Sequence, residues 1–586
     1  MKFTTESKQS FDKKNNIYCL EYKYDLKDKY PEYVLEELEK LNPQYGNSEG
    51  FMSESSYTQR VTNLIKDLPW KIIAKENYNI NEINKRFDEY FYGQSEIKNQ
   101  ILDLIHSMIY KRKKINNNLI TFKNNENILL APKMFDSKLG DICKYQPILL
   151  VGPPGVGKTQ IAKTIAYALD RKFEKISLNG LSSDDIFIKG CSRAYKSSHS
   201  GVLIKAYQNA KTSNPVILLD EVDKMGNKGG LAEGASLDSL LLDILDPEQN
   251  KNYKDNFLEI PYDLSETIFI LTANYIEQIK PEILNRCKVI NLQPYTKLEK
   301  ISIAKKILIP RIRKEEILNN KLFSFDDEAI EYIIKNYTDG EGSVRKLKAT
   351  LIELAHHIQK LINEKQITSY EFTFDNISKI LGKIENHNVK NNECNTPGLV
   401  NTLYVTRIGG GGVSETEVTI IKNDHFEVEC LGSIKESTKE SLMVAIAYIK
   451  NNTEKFGLNN INFNNLKIVL NMPGSFEKDG PSAGIALVTG ILSELKGLAI
   501  SEKIAMTGEI TSKGFVYPVG GIKNKILGAI ENKNNIIFIP KSNESDIEDI
   551  KKFILSNDTK VISVSKYEEI YDYLFSKKNK INLNLF

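Results

Sequence analysis

Ile148-Leu-Leu-Val-Gly-Pro-Pro-Gly-Val-Gly-Lys-Thr159 decides how this chain is read. Ile148 to Val151 is an apolar run of strand length, and Gln160 to Leu169 has apolar residues at helical spacing. Between them lies Gly152-Pro153-Pro154-Gly155-Val156-Gly157-Lys158-Thr159, a complete GxxxxGK[ST] loop with strand before it and helix after it, as a phosphate-binding loop requires. Glycines are needed because backbone N–H groups must close around phosphate oxygens without side-chain clashes. Lys158 then supplies a cation to the β- and γ-phosphates, and Thr159 an oxygen to Mg²⁺. ATP and Mg²⁺ are the expected cofactors.

Two further apolar runs extend the pattern. Val216-Ile-Leu-Leu219 ends in Asp220-Glu221, where Asp220 can hold the Mg²⁺ shell and Glu221 can orient an attacking water. The plainer reading is a solvated strand end, which the phosphate loop upstream outweighs. Thr267-Ile-Phe-Ile-Leu-Thr272 leads to Ala273-Asn274, whose amide can reach a γ-phosphate or water, although Asn after a strand commonly serves turn chemistry. Helical segments alternating with short apolar runs over about 89 to 300 predict a parallel α/β sheet. Residues 111 to 146, rich in Lys and Asn, interrupt it and read as a solvated insertion. Within it Lys111-Arg-Lys-Lys114 is a candidate phosphate or DNA contact.

The chain has 586 residues, enough for about four domains at roughly 150 residues each. The sequence divides into 1–88, polar and tyrosine-rich with helical patches at Pro31 to Leu41 and Tyr57 to Leu68; 89–300; a helical stretch over 301–393; and 394–586, with short strands and helices. Asn391 to Gly398 reads as the last linker, and Asp339 to Gly342 as a break inside the helical stretch. Lysine and arginine (79) nearly balance aspartate and glutamate (76), so no global field points to nucleic acid or membrane. No run of 18 apolar residues offers a membrane span, and Met1-Lys-Phe-Thr-Thr-Glu has no signal character, so the expectation is cytoplasmic, with an organelle matrix as the alternative. Six scattered cysteines without CxxC pairs read as reduced thiols.

Gly480-Pro-Ser482-Ala-Gly484 matches the GxSxG of an α/β-hydrolase, which requires a histidine later in the chain. The last histidine is His425, so that reading fails. A serine activated without imidazole can use a lysine kept neutral by desolvation. The candidates are Lys523 and Lys525, about 200° apart on a helix, so only one can face Ser482. Both border the apolar arc of Ile522, Ile526, Leu527 and Ala529, and periodicity leaves both open. A helix N-cap is the structural alternative for Ser482.

Leu241-Leu-Asp-Ile-Leu-Asp-Pro-Glu-Gln-Asn-Lys-Asn252, Phe257-Leu-Glu-Ile-Pro-Tyr-Asp-Leu-Ser265 and Leu271-Thr-Ala-Asn274 resemble the AAA+ module of the ATP-dependent Lon protease family. Lys478 to Gly484 and Thr507 to Ile526 are similar to its peptidase domain. The resemblance covers roughly residues 30 to 586 apart from the insertion, with Leu68-Pro-Trp70 matching the end of the family's N-terminal region. It implies a multidomain α/β and α+β fold: a helical N-terminal remnant, a P-loop α/β domain with a helical lid, and a C-terminal peptidase domain. By the same resemblance Tyr92-Gly93 would line the adenine pocket and Asn274 would be sensor 1. Arg286 would be a finger reaching a neighbouring subunit in a homohexamer, and Arg345 would be sensor 2. Tyr195 would be the substrate-gripping pore aromatic, with Lys196 and Ser197 departing from the family's aliphatic and glycine.

The resemblance also chooses Lys525 as the partner of Ser482, 43 residues apart as in the family, with Thr507 bonded to the lysine and Asp479 and Glu509 as polar supports. Val469 and Asn471 stand where relatives often carry histidines, and the loop Pro473 to Glu477 is one residue shorter. The activity implied is an ATP-dependent serine endopeptidase acting on unfolded or damaged proteins, with no membrane partner. The rival is a non-proteolytic AAA+ remodeller, DNA-associated, with the C-terminal domain as an oligomerisation platform.

Overall fold

The computed structural model describes residues 29–41, 52–116, 128–130, 145–179, 186–195, 198–225, 234–338, 343–365, 367–382, 396–406, 410–473 and 479–575. The chain divides into two compact units, Met1–Gln293 and Pro294–Phe586. The loop Pro473 to Glu477 falls mostly outside the described residues, as do the break at Asp339 to Gly342 and most of the linker at Asn391 to Gly398.

In the first unit, α1 (Glu32–Lys40) and α2 (Met52–Asp67) precede β1 (Ile72–Ala74), α3 (Ile80–Tyr90), α4 (Ser95–Asn116) and β2 (Ile128–Leu130). Then come β3 (Ile148–Val151), α5 (Lys158–Ala168), β4 (Phe173–Ser177), α6 (Val202–Ala210), β5 (Val216–Asp220), α7 (Gly234–Leu245), β6 (Ile268–Ala273), α8 (Pro281–Arg286) and β7 (Lys288–Asn291). The sheet runs β4-β5-β6-β3-β7 and every pairing in it is parallel. Strands covered on both faces must be apolar throughout, and β3 and β6 are buried at every position. The phosphate-loop strand β3 therefore sits second from the edge, next to β6.

Helices α1 and α2 pack into the same core as this sheet. Val61, Leu64, Ile65, Leu68 and Trp70 share one apolar cluster with Leu149, Ile217 and Leu271 of the sheet. Trp70 Nε1 donates to the Ile65 carbonyl at 2.8 Å, satisfying the one polar atom that a buried indole carries. Helix α3 starts where Asn79 accepts from the N–H groups of Asn81 and Glu82, and it buries Ile83 and Phe87 one turn apart.

The basic run expected at the start of a solvated insertion is corrected here. Lys111 to Lys114 lie in the last turns of α4, and Ile128–Leu130 pair antiparallel with β1. Arg112 is 2% exposed and is committed to an ion pair with Glu266, with a second at 3.6 Å to Glu76. Arg171 pairs with Glu76 at 2.5 Å and donates to Tyr145 at 3.1 Å. Burial raises a carboxyl pKa, but the Arg171 and Arg112 guanidiniums together with hydrogen bonds from Tyr78 and Asn214 outweigh it and hold Glu76 down to about 2. A guanidinium so paired is not available to DNA, so only Lys111 and Lys113 of the run present exposed side chains among the described positions.

In the second unit the helical part comprises α9 (Lys297–Ile303), α10 (Ile309–Glu315), α11 (Asp327–Tyr337), α12 (Arg345–Lys365) and α13 (Phe374–Leu381). A reciprocal capping box between Thr296 and Glu299 starts α9. The rest comprises β8 (Leu399–Val405), β9 (Gly411–Lys422), β10 (Glu427–Leu431), α14 (Glu436–Asn451), β11 (Leu466–Asn471) and α15 (Gly484–Lys496). After these follow β12 (Ile504–Met506), the small hairpin β13 (Glu509–Ile510) and β14 (Val516–Tyr517), α16 (Ile522–Glu531), β15 (Ile536–Pro540), β16 (Lys560–Val564) and α17 (Tyr567–Phe575).

The large sheet runs β10-β11-β9-β8-β12-β15-β16, antiparallel from β11 through β8 and parallel elsewhere. Gly484 to Ser493 of α15 are all buried, so this helix, apolar on every side, forms the centre of the core. Among the described residues no helix is long and apolar enough to cross a membrane.

Candidate active sites

The phosphate loop leaves β3 and turns into α5 at Gly157, whose φ of 92° lies in the left-handed region that glycine enters without steric cost. Lys158 Nζ donates to the carbonyls of Gly152 and Pro153, and at 2.9 Å to Asn274 Oδ1. Loop lysine and candidate sensor therefore meet although they are far apart in sequence, because β3 and β6 are neighbours. Thr159 follows on the first turn of α5, half-buried. The donor set fits a nucleotide: a lysine amine beside glycine-rich backbone at a helix N-terminus, bonded to Asn274 just beyond β6.

Those acids are held by groups that the sequence reading did not single out. Asp220 accepts from Thr272 Oγ1 at 2.5 Å and pairs with Lys175 at 2.5 Å. Glu221 stands at φ 62°, unusual for a residue with a side chain, and its N–H donates to the same Thr272 hydroxyl at 3.0 Å. Asp223, 2% exposed, accepts from the N–H groups of Asn274 at 2.8 Å and Tyr275 at 3.2 Å. One sequence signal exists for each: Thr272 is a hydroxyl inside an otherwise apolar strand, and Asp223 is a third acid two residues after Asp220-Glu221.

Tyr92 and Gly93 lie in the turn before α4. Gln94 Nε2 donates to the Gln293 carbonyl, and the neighbouring Leu292 packs against Gly152, so this turn adjoins the phosphate loop. Arg286 ends α8 with Nη2 3.2 Å from Asp246 Oδ2, while its Nη1 is buried without a hydrogen-bond partner. Tyr195 is 64% exposed at the tip of a turn whose neighbour Arg193 is anchored on the Phe257 and Leu258 carbonyls. Arg345 is the first residue of α12 in the second unit and is exposed.

In the second unit Ser482 occupies a single tight turn, Pro481–Ala483, directly before α15. Neither helix start takes a side-chain cap, so the N-cap alternative for Ser482 is not realised. Its carbonyl accepts from Gly508 N–H at 2.8 Å and from Thr507 Oγ1 at 3.1 Å. Thr507 Oγ1 in turn accepts from Lys525 Nζ at 3.1 Å. Lys525 is 2% exposed, and desolvation lowers its amine from 10.5 to about 8. Lys523, the competing lysine two residues away on α16, is only half-buried.

Backbone packing sets this choice. A Cβ on Gly411 would lie 1.9 Å from the Asn524 carbonyl oxygen, so α16 rests directly on the start of β9 and turns Lys525 inward. Asp479 bonds to the start of α14. It accepts from the Ser437 hydroxyl, which itself accepts from Gly480 N–H at 2.7 Å, and so steadies the approach to the serine. Glu509 lies half-buried in β13. Asn471 donates to Glu417 at 2.7 Å, and Val469 lies within β11.

The geometry defines a P-loop nucleotide-binding core joined in one chain to a peptidase module. Residues 148–295 match the ATPase family associated with various cellular activities, and residues 371–577 match the Lon protease (S16) C-terminal proteolytic domain. The Lon protease of Metamycoplasma arthritidis is 38% identical over 561 residues, 94% of this chain and 66% of that protein. Those of Mycoplasmopsis agalactiae and Mycoplasma mobile are each 36% identical over 94% of this chain, covering 56% and 66% of their own lengths. This chain belongs to the Lon protease family. It spans less than two thirds of the length of these curated relatives.

Proposed function

We propose that the chain is an ATP-dependent serine endopeptidase that unfolds and translocates protein substrates and cleaves them with Ser482 and Lys525. The observation that carries this reading is a lysine 2% exposed, hydrogen-bonded through Thr507 to the residue that bears the candidate nucleophile. Desolvation leaves Lys525 Nζ with a lone pair able to take the Ser482 Oγ proton as the oxygen attacks the scissile carbonyl. The lysine then returns that proton to the leaving amine, and water hydrolyses the acyl-serine by the same exchange in reverse. Thr507 orients the amine.

In the P-loop domain Lys158 and the backbone of Gly152 to Gly157 would hold the phosphates, Thr159 and Asp220 the Mg²⁺, and Tyr92-Gly93 the adenine. Bound Mg²⁺-ATP supplies the phosphoanhydride whose cleavage powers translocation. Glu221 orients the water, Asn274 senses its position, and Arg345 acts from the lid. The proposed domains are 1–88, 89–300, 301–393 and 394–586. A homohexameric ring, Arg286 reaching a neighbour's nucleotide, Tyr195 gripping unfolded or damaged protein, and a cytoplasmic setting complete the reading.

The test is casein turnover with and without ATP and Mg²⁺, together with labelling of Ser482 by a serine-reactive phosphonate. Turnover that needs ATP, with label lost in Lys525→Ala, is expected. Cleavage surviving Ser482→Ala overturns the reading. ATP hydrolysis with DNA binding and uncut substrate would favour the non-proteolytic remodeller instead.

A further inference from the structure

Two strand ends meet at the nucleotide site. One carries Asp220 and Glu221 at the end of β5, and the other carries Asn274 just beyond β6. Two buried side chains cross between them in opposite directions. From β6, Thr272 Oγ1 donates to Asp220 Oδ1 at 2.5 Å and accepts from the Glu221 N–H at 3.0 Å. From the turn after β5, Asp223 Oδ2 accepts from the N–H groups of Asn274 at 2.8 Å and Tyr275 at 3.2 Å. Thr272 is 0% and Asp223 2% exposed.

We infer that Thr272 and Asp223 are positioning residues for ATP hydrolysis, lacing the acid-bearing strand end to the sensor-bearing one so that Glu221 and Asn274 keep a fixed relation to each other. A hydroxyl is the one small group that can donate to a carboxylate and accept from an N–H at once, which is what Thr272 does. The lacing has work to do at Glu221, whose backbone sits at φ 62° and would relax without a partner for its N–H. Asp223 supplies a charged acceptor for two successive N–H groups, which fixes the backbone direction at Asn274. Lys158 Nζ, 2.9 Å from Asn274 Oδ1, joins the laced pair to the phosphate loop.

This inference rests on the proposed roles of Glu221 and Asn274, and the test separates the two. Steady-state ATP hydrolysis and equilibrium binding of a fluorescent ATP analogue are measured on the full chain as Thr272→Val, Thr272→Ser, Asp223→Ala, Asp223→Asn and Glu221→Gln. The isosteric Thr272→Val is expected to lower kcat about tenfold or more, with the KM for ATP and analogue binding changed by less than about threefold. Thr272→Ser keeps the hydroxyl and is expected to stay within about threefold of wild type. Asp223→Ala is expected to lose kcat similarly, with Asp223→Asn, which retains one oxygen acceptor, falling less. The double Thr272→Val, Asp223→Ala variant is expected to lose less than the product of the two single losses, because both act on one laced unit.

Wild-type kcat in Thr272→Val overturns the inference, as does equal loss in Thr272→Ser or a parallel loss of ATP binding. Since Thr272→Val preserves shape, it decides the matter even where Asp223→Ala fails to fold. If Glu221→Gln still hydrolyses ATP, the assignment of Glu221 fails. If Glu221→Gln is inactive while Thr272→Val is unimpaired, only the lacing fails.

Discussion

Lys525 sits 2% exposed with the Thr507 hydroxyl as its acceptor, and desolvation holds its amine at about 8 against an ordinary 10.5. Peptide cleavage should therefore rise with pH and reach half its maximum near 8, read from kcat against pH. The same shift bears on stability. Between about 8 and 10.5 the unfolded chain binds a proton that the folded chain does not, so stability falls as pH drops through that window and stays reduced below it. A shift of this size corresponds to about 3 kcal/mol. Lys525→Met should thus abolish cleavage yet raise the melting temperature at pH 7, with the gain shrinking toward pH 10.5; a gain independent of pH would refute this account. The phosphate loop, the strand-end acids and the Ser482 motif are legible in the sequence because each is contiguous and its flanks have the right period. The choice between Lys523 and Lys525 is not, because both border the same apolar arc. What turns Lys525 inward is the close approach of Gly411, a residue with no side chain to leave a pattern.

Helix α4 shows the same limit at the scale of an element. Its terminal Lys-Arg-Lys-Lys reads as surface, since nothing local marks Arg112 as buried; its partners Glu76 and Glu266 are distant in sequence. Removing one member of a buried ion pair costs about 3–5 kcal/mol, because the remaining charge has lost its solvation without compensation. Glu76→Gln should accordingly lower the melting temperature of the first unit while Lys111→Gln, at an exposed position, leaves it within experimental error. Because Glu76 is held at about 2 against 4.5, its contribution is complete above pH 4.5 and is lost as pH falls toward 2. Helix α16 offers a separate test. Gly411→Val forces it off β9, and phosphonate labelling of Ser482 should drop by at least about tenfold while ATP hydrolysis is retained.

Across the whole molecule, a proteolytic function divides into steps that separate variants can isolate. Tyr195, 64% exposed on an anchored turn, is a candidate for gripping substrate and lies apart in sequence from either chemical site. Tyr195→Ala should therefore slow casein degradation strongly while a short fluorogenic peptide is cut at the wild-type rate; equal loss on both would assign Tyr195 a structural role. The buried charge cluster has a practical consequence of a different kind. Arg112, near the start of the stretch that interrupts the α/β pattern, lies 5.9 Å over the ring of Tyr145, near its end, and Arg171 bonds to that same tyrosine. Between these two residues Ile128–Leu130 pair with β1, so the described positions on either side of Leu130 are all tied to the first unit. A fluorescent reporter domain whose own termini are close together, spliced in after Leu130, is therefore flanked by a paired strand on one side and the Tyr145 cluster on the other, and ATP hydrolysis and Ser482 labelling at wild-type levels are the expected outcome.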